Sequence, residues 1–136
     1  MGVADPALHG DACGSGLAGL AVAFIFLALA QRGLETVFVT NGYMTPETVA
    51  LAAPLLGAAN VDLKSMDDRF YRRICKARLQ PVLDSLTTLH AAGVHLEVTN
   101  LLIPGHNDDP AQVDALAAFV AGLDPGVPLH LSAYHP

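Results

Sequence analysis

The sequence predicts an α/β fold in which about four parallel strands alternate with helices. The predicted strands start at Thr36, Asn60, Val94 and Pro128, which lie 24, 34 and 34 residues apart, the spacing expected of β/α units. The segments between them carry helix-starting prolines and helix-ending glycines. With 136 residues, of which 52% are hydrophobic, the chain has room for one domain with one core.

The residues before the first strand divide into two parts. Residues 1–20 hold five of the twelve glycines and show no periodicity, so we predict an irregular leader, with the domain occupying residues 21–136. The apolar run Leu17–Ala30 is predicted to be a buried helix that Gly33 ends. As a helix its 14 residues rise only about 21 Å, too short for a membrane span, and a leader without Lys or Arg disfavours a signal peptide.

The first β/α unit begins with a buried strand over Thr36–Thr40, which is rich in β-branched residues. Asn41-Gly42 ends this strand. A helix then begins after Thr45, a good N-cap, with Pro46 in its first position, and it ends near Gly57.

The remaining elements are, in chain order, a strand, two helices, a strand, a helix and a strand. They are predicted at Asn60–Lys64, 67–76, Pro81–Ala92, Val94–Leu102, 109–122 and Pro128–Ala133. Four strands do not close a barrel, so the sheet is expected to have two edges with unpaired backbone groups.

Polar residues cluster where the predicted strands end, the edge at which parallel sheets bind ligands. The candidate site residues are Thr40, Asn41, Asp62, Lys64, Glu97, Thr99, Asn100, Ser132 and His135. Asp62 and Lys64 are two residues apart and share one face of a strand that we expect to be buried on both sides. They therefore form either a structural ion pair or a site where Lys64 meets an anionic group such as a carboxylate. Glu97 and Thr99 share a face in the same way, which predicts a polar surface there.

The cysteines and histidines give no metal motif. Cys13 and Cys75 lie far apart without a CxxC, so they predict neither a disulfide framework nor a structural zinc site. We expect reduced thiols and a cytoplasmic protein, with Cys75 as a buried thiol.

Charge is unevenly distributed along the chain. Seven Lys and Arg against 13 Asp and Glu give a net charge of -6, which disfavours nucleic acid as a partner. Six of the seven basic residues lie between Lys64 and Arg78. The segment Arg69–Arg78 is therefore either the solvated face of a short helix or a docking site for an acidic protein substrate, with Phe70 and Tyr71 packed in the core.

Four blocks of sequence carry a resemblance to a known family: TNGYMTPETV (Thr40–Val49), NVDLKSMDDRFYRRIC (Asn60–Cys75), LEVTNLLIPGHND (Leu96–Asp108) and SAYHP (Ser132–Pro136). Together they resemble the radical SAM superfamily. The nearest likeness is to its pyruvate formate-lyase-activating-enzyme-like branch, including members associated with the AMMECR and Memo proteins.

The resemblance implies a partial (β/α)6 TIM-like barrel, with this chain supplying roughly the last four strands. It implies an oxidoreductase-type enzyme that cleaves S-adenosylmethionine reductively at a 4Fe–4S cluster. The resulting 5'-deoxyadenosyl radical abstracts hydrogen from a substrate or a partner enzyme. By motif position, the residues that line the S-adenosylmethionine site are Thr40, Asn41, Asp62, Lys64 and His135.

The family's CxxxCxxC motif is not in this sequence, and two cysteines cannot supply the three thiolates that the cluster needs. We therefore expect a C-terminal fragment that is inactive alone unless a partner chain supplies the strands that bear the cysteines. Two alternatives remain open. One is a non-catalytic binding or assembly module that uses the open sheet edge and the basic helix. The other is an aldolase-like half barrel with Lys64 as a Schiff-base amine, which the nearby Asp62 disfavours.

Overall fold

The computed structural model describes residues 24–135, which form one four-stranded parallel sheet and its helices. The predicted leader, residues 1–20, and Cys13 lie outside the described residues. The elements are α1 (24–30), β1 (Val37–Thr40), α2 (Pro46–Ala52), β2 (Ala58–Asp62), α3 (Asp68–Phe70), α4 (Gln80–Ala91), β3 (His95–Leu102), α5 (Pro110–Leu123) and β4 (Leu129–Ala133). This order confirms the predicted α/β class.

The strands follow one another across the sheet in chain order, and each pairs in parallel with the next. Asn60 pairs with Val39 on one side and with Glu97 on the other, and Thr99 pairs with His130. All four carboxyl ends therefore meet at one edge. Within the described part of the chain, β1 and β4 are the edge strands, as predicted.

Helices cover one face of the sheet, and the core lies between them and the strands. Every second residue of β2 and β3 is buried on this side, and α4 buries Val82, Leu86 and Leu89 against them. Fully or nearly fully buried residues of this layer are Val49, Ala59, Val61, Leu63, Val82, Leu86, Leu89, Leu96, Val98, Leu116 and Val120. Burial of this apolar area is the main source of stability, at about 25 cal/mol per Å².

The prediction that the first strand is buried was wrong. Val39, at 76% exposure, and Val37 stand on the face that no described helix covers. The second strand also begins two residues earlier than predicted, because the N–H groups of Gly57 and Ala58 both donate to the carbonyl of Thr36. It ends at Asp62, so Lys64 lies beyond the strand.

Of the helix predicted over Leu17–Ala30, the structure describes residues 24–30, which are mostly exposed and not buried as predicted; Phe26 and Leu29 are half-buried. Phe26 makes its main aromatic contact by packing edge-on against Phe38, with 5.6 Å between ring centroids. Phe24 and Ile25 remain exposed because nothing described packs over them. Gly33 ends the helix with φ +70, as predicted. No helix in residues 24–135 is long and apolar enough to cross a membrane.

The charged helix predicted over 67–76 is shorter and less regular. After the single turn of α3, residues Tyr71–Cys75 form a π turn, which ends at Lys76 in the left-handed conformation with φ 54. Phe70 and Tyr71 are buried, as predicted, and their side chains anchor this turn to the core.

Candidate functional site

The candidate site is the uncovered face of β2 and β3 together with the carboxyl edge of the sheet. Side chains alternate along a strand, so the buried Val61 and Val98 place their neighbours on the opposite side. Register then puts four polar residues of two strands next to one another: Asn60, Asp62, Glu97 and Thr99.

Hydrogen bonds join three of these residues to a histidine of β4. The Asn60 amide donates to Glu97 Oε2 at 3.2 Å, and Thr99 Oγ1 donates to Asn60 Oδ1 at 3.0 Å. Glu97 Oε2 also lies 3.1 Å from His130 Nε2. The Asn60 hydrogen bond, followed by that of His130, holds the pKa of Glu97 below its usual value. The polar surface predicted from Glu97 and Thr99 is therefore present.

Asp62 and Lys64 form an ion pair at the carboxyl end of β2, with 2.8 Å between Lys64 Nζ and Asp62 Oδ2. Their side chains are 40% and 41% exposed, so the expectation of a doubly buried strand was wrong here. The reason is that their face of the sheet is uncovered. An ammonium has three N–H donors, so the contact with Asp62 leaves two that point to other partners or to solvent.

The end of β1 forms a tight turn in which both predicted residues bind their own backbone. Thr40 Oγ1 accepts from the Gly42 N–H at 3.1 Å, and Asn41 Oδ1 accepts from the Tyr43 N–H at 3.0 Å. Gly42 adopts φ +70, and a Cβ there would lie 2.7 Å from Val61 Cγ1. Glycine is therefore required at this point for both conformation and space.

The structure divides the predicted site residues into groups. It pairs Asp62 with Lys64 and links Glu97 to Thr99 through Asn60. Asn100 is buried on the helix side, where its amide donates to the Leu63 carbonyl at 2.6 Å, and Thr40 shares that side by alternation. Asn41 follows β1, while His135 is exposed just after β4, so both lie at the carboxyl edge.

Sequence reasoning missed three polar residues that complete the site. Asn60 and His130 bind Glu97, and Asn107 donates to the Lys64 carbonyl at 2.6 Å. Asn60 precedes Asp62 by two residues, so strand alternation was a signal for it. His130 and Asn107 are 33 and 43 residues from their partners, and no local pattern identifies such contacts.

The residues present do not fit a 4Fe–4S cluster. The sequence has two cysteines, and the cluster needs three thiolates when S-adenosylmethionine takes the fourth iron. Over residues 24–135 no three His, Cys, Asp or Glu side chains are grouped to hold a metal. Cys75 is half-buried, and burial raises the pKa of its thiol, which disfavours the thiolate that binds metals.

Comparison with known proteins identifies the family. A sequence model of the radical SAM superfamily matches residues 13–117. The chain belongs to the radical SAM superfamily. The match starts before the described residues and includes β1, β2 and β3, whose ends carry most of the candidate site.

Two curated relatives of this radical SAM chain are activating enzymes. The isethionate sulfite-lyase activating enzyme of Nitratidesulfovibrio vulgaris is 32% identical over 77% of this chain, and the benzylsuccinate synthase activating enzyme of Thauera aromatica is 30% identical over 68%. An uncharacterized protein of Methanocaldococcus jannaschii is 38% identical over 78%. The chain spans about a third of the length of these relatives, at 34%, 28% and 31%.

Solved structures agree with this assignment. A domain of the pyruvate-formate lyase-activating enzyme from Bacteroides vulgatus superposes with a TM-score of 0.78 at 26% identity, covering 90% of this chain and 78% of that domain. Streptococcus suis SuiB bound to S-adenosylmethionine has the same fold, with a TM-score of 0.68 at 13% identity, covering 85% of this chain and 27% of SuiB. The predicted resemblance and the partial radical SAM TIM-like fold are thus confirmed.

Proposed function

We propose that this chain forms the S-adenosylmethionine-binding part of a radical SAM activating-type enzyme, an oxidoreductase of the cytoplasm. The observation that carries the proposal is the Asp62–Lys64 pair, half-exposed at the carboxyl end of β2. Family membership alone would leave the site unspecified. In this proposal the pair binds a ligand that carries both a carboxylate and an ammonium group.

The donor set fits the methionine moiety of S-adenosylmethionine. Two free N–H groups of the Lys64 ammonium are suited to the carboxylate of the ligand, and Asp62 accepts from its ammonium group. Glu97 also gives the uncovered face negative charge, which favours the cationic sulfonium. Asn41 and His135 lie at the same edge and are proposed as further contacts of the ligand. Thr40, Thr99 and Asn100 make hydrogen bonds within the protein that hold this edge in place.

When bound, S-adenosylmethionine would supply the family's radical chemistry, in which hydrogen is abstracted from a substrate or a partner enzyme. The chain itself does not fit the 4Fe–4S cluster that this chemistry needs. In this proposal the cysteines come from polypeptide outside these 136 residues, and the uncovered β1 edge with Val37 and Val39 is where additional strands would pair.

The basic segment Arg69–Arg78 is proposed as the place where an acidic protein substrate docks. Arg69 pairs with Asp67 and Arg72 pairs with Asp68, so the positive charge of these two arginines is partly neutralised. Arg73, Lys76 and Arg78 are exposed, and no ion pair among residues 24–135 engages them. Those three bases therefore provide the charge available to a partner.

Calorimetric titration of the full chain with S-adenosylmethionine tests the ligand, and 5'-methylthioadenosine, which lacks the amino acid group, is the reference. Lys64→Met is expected to weaken S-adenosylmethionine binding about 10-fold or more, because a charge-assisted hydrogen bond contributes about 1.5–3 kcal/mol. Binding of 5'-methylthioadenosine is expected to change little. The control Arg32→Met removes an exposed positive charge remote from the carboxyl edge. Equal affinity of wild type and Lys64→Met for S-adenosylmethionine would refute the assignment of Lys64.

A further inference from the structure

The two residues after β2 have all their backbone polar groups hydrogen-bonded, although they lie outside the strand. The Leu63 N–H donates to the Thr99 carbonyl at 3.0 Å, and the Leu63 carbonyl accepts from Asn100. The Lys64 N–H donates to Tyr71 Oη at 3.0 Å, and the Lys64 carbonyl accepts from Asn107 Nδ2 at 2.6 Å. Three of these four groups are bonded to side chains that lie at least seven residues away in the sequence, so the segment is held by other parts of the fold.

The two side chains that hold Lys64 come from separate parts of the fold. Tyr71 starts the π turn, and Asn107 lies in the loop between β3 and α5. Each is only 3% exposed. Neither touches the exposed ammonium of Lys64 through these bonds; both act on its main chain.

Asn107 is itself fixed by two further hydrogen bonds. Its Oδ1 accepts from the Ile103 N–H at 2.7 Å, and its Nδ2 also donates to the Leu101 carbonyl at 2.9 Å. Both amide hydrogens are thus used, which makes the orientation of the side chain unambiguous. An aspartate here would keep the shape but would lack both donors.

Tyr71 can act only as a neutral partner. Burial raises the pKa of its phenol to about 12, so the hydroxyl remains protonated at neutral pH. Its oxygen accepts from the Lys64 N–H, while its ring packs in the core beside Phe70. Removing the oxygen alone therefore removes the bond without removing the packing.

We propose that Tyr71 and Asn107 are positioning residues that fix the Lys64 main chain, so that its ammonium is presented beside Asp62 to the carboxylate of the ligand. Rigid placement lowers the entropy lost when a ligand binds. This inference rests on the proposed function, because it names how the Lys64 site is held in place.

The test compares Tyr71→Phe and Asn107→Asp with Lys64→Met, using S-adenosylmethionine and 5'-methylthioadenosine as probes of the full chain. We expect Tyr71→Phe to weaken S-adenosylmethionine binding about three- to tenfold, the range of one ordinary hydrogen bond. Asn107→Asp is expected to weaken it at least as much, because it loses two donors and buries a carboxylate beside the carbonyls of Lys64 and Leu101. Both variants should have little effect on 5'-methylthioadenosine. In the Lys64→Met background the same substitutions are expected to have no further effect. Ser85→Ala, which removes another buried hydroxyl, one bonded to the Pro81 carbonyl, is the control for a purely structural loss.

The outcomes separate this inference from the function on which it rests. If Lys64→Met does not weaken S-adenosylmethionine binding, the proposed function is wrong. If Lys64→Met weakens it and the positioning variants do not, or if they weaken both probes equally, the positioning role is overturned. A ligand-free measurement gives a second, independent test: Tyr71→Phe is expected to speed amide hydrogen exchange at Lys64 about fivefold or more, and an unchanged rate would overturn the role of Tyr71.

Discussion

The two faces of the sheet use the same strands for different purposes. On the face toward the helices, β2 and β3 present Val61 and Val98, which are completely buried. On the other face, the intervening residues Asn60 and Glu97 are polar, half-buried and hydrogen-bonded across strands. Alternation along a strand therefore lets stability and binding be encoded in adjacent residues. A substitution at a residue that faces the helices should therefore change the stability of the fold, and a substitution at a residue of the other face should change ligand binding.

The difference also shows in what each face lacks. The helix side has a continuous apolar layer from α2, α4 and α5. The opposite side leaves Val39 and Leu101 exposed among the polar groups. An exposed apolar rim around a polar centre is typical of a surface that another element covers, which agrees with the proposal that further strands complete the barrel.

The largest expected loss of stability comes from truncating a side chain on the face that the helices cover. Leu96 and Leu101 both lie in β3, with 3% and 41% exposure. Leu96→Ala is expected to lower the free energy of unfolding by about 2–5 kcal/mol, since it leaves a cavity in the core. Leu101→Ala should cost about 1 kcal/mol or less. Urea denaturation of both variants measures the comparison, and equal losses would show that the two faces do not differ in this way.

The next largest effect concerns Gly42, which lies where the covered face meets the carboxyl edge of the sheet. Gly42→Ala is expected to lower the free energy of unfolding by about 2–4 kcal/mol, because it combines a positive φ with crowding against Val61 and Val82. Gly93→Ala is the matched control, since Gly93 has φ +81 but nothing within 4 Å of its added Cβ. Thermal or urea denaturation should give the smaller loss for Gly93→Ala, and the reverse order would contradict the close approach at Gly42.

Much of the fold could be predicted from the sequence because its signals are local. Thr45 and Asp109 both cap helices that begin with proline, as their positions indicate. The start of β2 could not be placed, since it depends on pairing with Thr36 across the sheet. The π turn at Tyr71–Cys75 was missed because the pattern of charged residues resembles an ordinary helix.

The candidate site was predicted in part. Strand parity predicted that Asp62 and Lys64 lie close together, and they do, although the strand ends at Asp62 and Lys64 lies beyond it. The roles of Asn107 and His130 depend on folding of segments distant in sequence, and their residue types occur commonly in loops and strands. The aldolase-like alternative stays without support, because the Lys64 amine is engaged by Asp62 at 2.8 Å.

The smallest expected effect is a pH dependence from the uncovered face. The pKa of Glu97 is lowered in the folded protein, so its carboxylate stabilises the fold above its unfolded pKa of about 4.3, and this contribution is lost as the pH falls through the lower, folded pKa. Glu97→Gln should therefore lose less stability than wild type between about pH 5 and pH 3.

Asn60→Ala sharpens this prediction, since Asn60 supplies the main hydrogen bond to Glu97 but is not itself titratable. The pH dependence of the free energy of unfolding of Asn60→Ala should fall between that of wild type and that of Glu97→Gln. Urea denaturation at a series of pH values measures all three proteins. If the stability of wild type and of Glu97→Gln depended on pH in the same way, the hydrogen bonds on this face would not lower the pKa of the Glu97 carboxyl group.

The most direct measurement is a map of amide chemical-shift changes on adding S-adenosylmethionine to the isotope-labelled chain. We expect changes concentrated at the carboxyl ends of the strands, around Asn41, Lys64, Asn100 and His135, and small changes at the amino ends, near Gly57 and His95. No change at saturating ligand, or changes centred on the amino ends, would contradict this expectation.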